Sequence, residues 1–89
     1  MCRADFAKTG LAQAVARFPE AAAVLRGLAL TDPVFREICE EYALAQQSLA
    51  GFEARLDAAE RPEIADYRMV IVELENEIDR FLKEAEPKG

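Results

Sequence analysis

Apolar residues recur with an unbroken 3-4 alternation over two stretches of this chain, and that spacing leaves few folds open. Phe35, Ile38, Tyr42, Ala45, Leu49, Phe52, Leu56 and Ala59 make the first series; Ile64, Tyr67, Ile71, Leu74, Ile78, Phe81 and Ala85 make the second. The spacing puts each series on one seam of an α-helix, as in a coiled coil. Two seams joined by a few residues are expected to fold back antiparallel. A constant register then pairs Ala59 with Ile64, Leu56 with Tyr67, Phe52 with Ile71, Leu49 with Leu74, Ala45 with Ile78, Tyr42 with Phe81 and Ile38 with Ala85. Each alanine meets a larger side chain, which fills a core without voids.

Proline and capping residues divide the chain. Pro19, Pro33 and Pro62 each stand where a helix can begin, because proline fits the first helical position. The expected elements are a short helix over Gly10–Arg17 with Thr9 as N-cap, a second over Pro19–Leu30, a long helix over 33–60 capped by Asp32, and a long helix over 62–85. Residues 86–89 read as a frayed tail. The fold class is therefore all-α: one domain over 1–89, a long antiparallel helical hairpin with one or two short N-terminal helices in 1–31.

Two helices bury too little apolar surface to stand alone, and 89 residues leave little else to cover them. In the expected register Phe35 has no apolar partner, Cys39 and Leu82 form a flanking apolar pair beside it, and Met69, Val70 and Val72 lie beside or outside the seam. Val24, Leu25 and Leu28 of the second segment are placed to cover the Phe35 end. Phe35, Cys39, Met69, Val70 and Leu82 thus form the candidate interaction surface, and the expected outcome is self-association, most simply a two-fold dimer with a four-helix core. A protein partner fits the same surface.

Charge argues against other partners. The net charge of −6 disfavours nucleic acid, whose phosphates need clustered Lys and Arg. Residues 1–31 carry four bases and two acids; residues 32–89 carry seven bases and fifteen acids. The basic segment is therefore expected to dock on the acidic remainder, its four bases being too sparse to hold an anionic membrane. Arg3, Asp5, Lys8 and Arg17 interrupt any apolar leader, and no stretch is long enough to span a bilayer, so the expected location is the cytoplasm.

No residue set supports catalysis. The chain has no histidine, so neither Cys2 nor Cys39 has the usual base for a nucleophilic thiol, and structural zinc lacks its ligands. Cys39 reads as a buried inert thiol, and Tyr42 and Tyr67 as seam rings with a hydroxyl at the edge. Glu73, Glu75, Glu77 and Asp79 suggest a carboxylate metal site assembled across a dimer, which stands as the alternative function. Their alternate spacing scatters them around the helix, which reads more simply as a solvated acidic face with no cofactor.

The segment Phe18-Pro19-Glu20, followed by Leu25, Leu28, Asp32, Phe35, Glu41-Tyr42, Arg68 and Leu74-Glu75-Asn76-Glu77-Ile78, resembles the YdcH-like small bacterial proteins over about residues 18–82. The family typically shows an FPE start, a D-x-x-F step into a long helix, an E-Y or E-H pair and a second helix ending in a D-E-I motif. The chain departs from it at Pro33-Val34, where an aromatic or histidine is usual, and at Met69-Val70-Ile71-Val72, where lysines are usual. The resemblance implies a helical hairpin in a bacterial cytoplasm and no particular activity.

Overall fold

The computed structural model describes residues 3–55 and 61–85. Among these, the chain is all-helical: α1 (Arg3–Arg17), a 3-10 turn (Pro19–Ala21), α2 (Ala22–Thr31), α3 (Pro33–Glu53) and α4 (Pro62–Ala85). Asp32 stops α2 and starts α3. Its own φ of −120° and ψ of 107° break the helical path, and its carboxylate accepts the Val34 amide at 2.9 Å and the Phe35 amide at 3.2 Å. Those bonds satisfy two donors that a helix start leaves open, and Pro33 supplies a residue with no donor to satisfy.

α3 is the central element, packed by α1 on one side and α4 on another. The core joins Ala14 and Leu25 to Phe35, Cys39, Tyr42 and Ala45 of α3 and to Leu74, Ile78 and Leu82 of α4. Phe35 meets Phe81 edge-on at 5.4 Å between ring centroids, and Phe52 stacks on Tyr67 at 5.6 Å. Arg68 adds an ion pair to Glu53 at 2.9 Å near the end of α3. From the N-terminal end of α3 onwards, partners are drawn from progressively earlier positions of α4.

Several expectations need correction. Phe35 is fully buried against Phe81, so it does have an apolar partner. Tyr42 faces Glu75, not Phe81, and the ring on Phe52 is Tyr67, one turn before Ile71. The register is thus displaced along α4, and Glu41 lines a groove with Glu73, Asn76 and Glu77.

The first helix also begins earlier than Gly10. Thr9 is an exposed residue within α1, not its N-cap, and Gly10 is buried at mid-helix. α3 ends at Glu53, short of Glu60; the expected layers of Leu56 and Ala59 fall outside the described residues, as does the expected tail over 86–89. Pro19 opens a 3-10 turn before α2 proper. Leu25 is fully buried and Leu28 packs on the core, whereas Val24 stays exposed.

Candidate interaction surface

The five residues taken from sequence as one surface separate in the structure. Phe35, Cys39 and Leu82 are in the core, at 0%, 1% and 8% exposure, because α1 and α2 cover the end of the helix pair that a bare hairpin leaves open. They do not form an exposed surface. Met69 and Val70 remain on the surface, at 61% and 41% exposure, and Val72 joins them at 50%.

The helical phase of α4 accounts for this. Ile64, Leu74, Ile78 and Leu82 are its buried residues. At about 100° per residue, Met69 points almost opposite to that stripe, with Val70 and Val72 on either flank. The other exposed positions around them are mixed: Asp66 and Glu73 are acidic, Arg68 and Arg80 basic, and Ala65 and Asn76 uncharged. The three apolar side chains are therefore set among charges of both signs, and Glu41 of α3 adds a carboxylate across the groove that Val70 and Arg80 line.

The acidic residues of α4 do not converge. Glu75 turns inward, where its Oε2 accepts the Tyr42 hydroxyl at 2.8 Å and lies 3.6 Å from Arg17 Nε. Glu77 pairs with Arg80 at 3.1 Å and Asp79 with Lys83 at 3.0 Å, while Glu73 stays exposed. Among the described residues, no three Cys, Asp or Glu side chains are grouped to hold a metal ion.

Two hydroxyl-type groups are perturbed. Burial, with Glu40 as the lesser cause, pushes the Cys39 thiol up to about 11. Burial first and the hydrogen bond to Glu75 second raise the Tyr42 hydroxyl above its ordinary value. Both shifts favour the protonated form, so neither group serves as an anion at neutral pH.

A second exposed apolar site lies on the other side of α3. Ala7 and Leu11 of α1, Ala29 and Leu30 of α2 and Cys39 of α3 line a cleft of about 460 Å³, with Lys8, Arg36 and Glu40 at its edge. Leu30 is 83% exposed, more than any other large hydrophobic side chain among the described residues. Arg36 Nη1 donates to the Ala29 carbonyl at 2.8 Å, which ties the α2 end to α3 beside the cleft. The two-helix reading missed this site because it assigned α1 no surface of its own.

These features define an all-α protein with exposed apolar side chains on its described surface. No described helix is long and apolar enough to cross a membrane. Compared with family models, with curated proteins and with solved structures, the chain shows no match.

Proposed function

We propose that this chain is a non-enzymatic helical module that acts by associating with protein surfaces, including its own copies, through the outer face of α4. The observation that carries the reading is the exposure of Met69 on the outer side of α4, with the exposed Val70 and Val72 on its two flanks. Contiguous apolar surface with a polar rim is the usual mark of an interaction site on a small soluble chain. The non-enzymatic part rests on the lack of histidine and on the protonated states of Cys39 and Tyr42.

The same reading treats α3 and α4 as an antiparallel hairpin of the YdcH-like kind, working in a bacterial cytoplasm. The Phe35–Phe81 and Phe52–Tyr67 contacts support the antiparallel course. The family and its location rest on the sequence resemblance.

Light scattering across micromolar to millimolar concentration tests the proposal. The expected result is a mass that rises with concentration for the native chain and stays monomeric for Met69→Glu/Val70→Glu. A compact monomer for both at every concentration contradicts it.

A further inference from the structure

We propose that the occupant of the α4 outer face is the basic cleft of α1, α2 and α3 on a second copy of this chain, so that copies join head to tail. This rests on the self-association read above and adds which surface meets which.

Charge complementarity selects the occupant. The α4 triplet is bordered by the exposed carboxylates Asp66, Glu73 and Glu41, and the exposed bases beside them are already paired, Arg68 with Glu53 and Arg80 with Glu77. Pairing two such faces about a two-fold axis sets acid against acid beside the apolar contact, which costs affinity. The cleft has the opposite balance. Of the charged residues that line it, Lys8 and Arg36 are basic and Glu40 is acidic. Each site supplies apolar surface together with the charge that the other lacks.

Placement sets the symmetry. α4 packs on the α3 face bearing Tyr42, while the side chains Arg36 and Glu40 at the cleft are roughly 120° and 160° away around α3 by helical phase, with the buried Cys39 between the two faces. Met69 and its neighbours in turn point away from α3. Cleft and triplet are thus on opposite sides of the molecule, and one copy cannot use both on the same partner. Such a heterologous contact leaves a free cleft at one end and a free triplet at the other, so association continues past two copies unless a ring closes.

Complementation tests this. Leu30→Glu disables the cleft and Met69→Glu/Val70→Glu disables the triplet; all three side chains are exposed, so both variants are expected to keep native helical content by circular dichroism. Native mass spectrometry of the unmixed wild type at rising concentration should show species beyond the dimer, reduced by added salt. Each variant alone should be monomeric, and an equimolar mixture should give a 1:1 heterodimer and nothing larger. If Leu30→Glu associates like wild type, or the mixture stays monomeric, the cleft is not the occupant although self-association stands. A wild type that is monomeric throughout overturns both this inference and the reading beneath it.

Discussion

Gly10 of α1 lies directly against the backbone of Cys39 in α3: a Cβ at Gly10 would overlap the Cys39 carbonyl oxygen and come within 2.5 Å of its carbon. Helix backbone cannot yield as a flexible side chain can, so only glycine permits this crossing. Glycine at mid-helix ordinarily costs about 1 kcal/mol relative to alanine, and here the close approach of α1 to α3 offsets it.

Gly10→Ala is therefore expected to destabilise the protein by about 1–3 kcal/mol in urea unfolding, despite alanine's better helix propensity. Gly27→Ala is the control. Nothing lies within 4 Å of a Cβ there, so that change is expected to stabilise by up to about 1 kcal/mol. Equal responses at the two glycines would contradict the crossing.

The Tyr42–Glu75–Arg17 contact joins α3, α4 and α1 through one carboxylate oxygen. Tyr42→Phe keeps the ring and removes the donor, for an expected loss of about 1–2 kcal/mol. Arg17→Ala, at a more exposed and longer contact, is expected to cost under about 1 kcal/mol. Chemical denaturation of the two variants checks the order.

Alkali should weaken the fold through Cys39. Below pH 9 the thiol is protonated in both folded and unfolded chains, so it contributes no pH dependence. Between its ordinary value of 9.0 and about 11 the unfolded chain loses the proton and the folded chain keeps it. Stability then falls as pH rises, by at most about 1.4 kcal/mol per unit for one such group. Tyr42, also raised by burial, extends the fall above its ordinary value of 10.0. Melting temperatures from pH 8 to 10 should decline, and Cys39→Ala should flatten the part between 9 and 10.

Much of the helical framework was legible in the sequence. The Asp32-Pro33 and Pro62 starts carry capping and proline signals that act locally, so tertiary packing does not alter them. The seam residues Tyr42, Leu74 and Ile78 are core for the same reason: their spacing holds whatever partner covers them. What failed depended on α1. Ala7, Leu11, Ala14 and Phe18 do recur at helical spacing, but two of the four are alanine, and a small side chain carries little hydrophobic signal. Gly10, read as a helix start, marks where two backbones nearly touch. Phe35, Cys39 and Leu82 were assigned to a surface they do not form, since they lie in a core with Ala14 of α1 and Leu25 of α2. Met69 and Val70 were placed correctly as exposed because their position depends on the phase of α4 alone.

Met69 itself reports most directly on the proposed association face. Its thioether is exposed in the single chain and is oxidised by peroxide at a rate that follows access to the sulfur. Mass-spectrometric measurement of that rate at micromolar and at near-millimolar protein should show clear protection at the higher concentration. A rate independent of concentration would contradict the account.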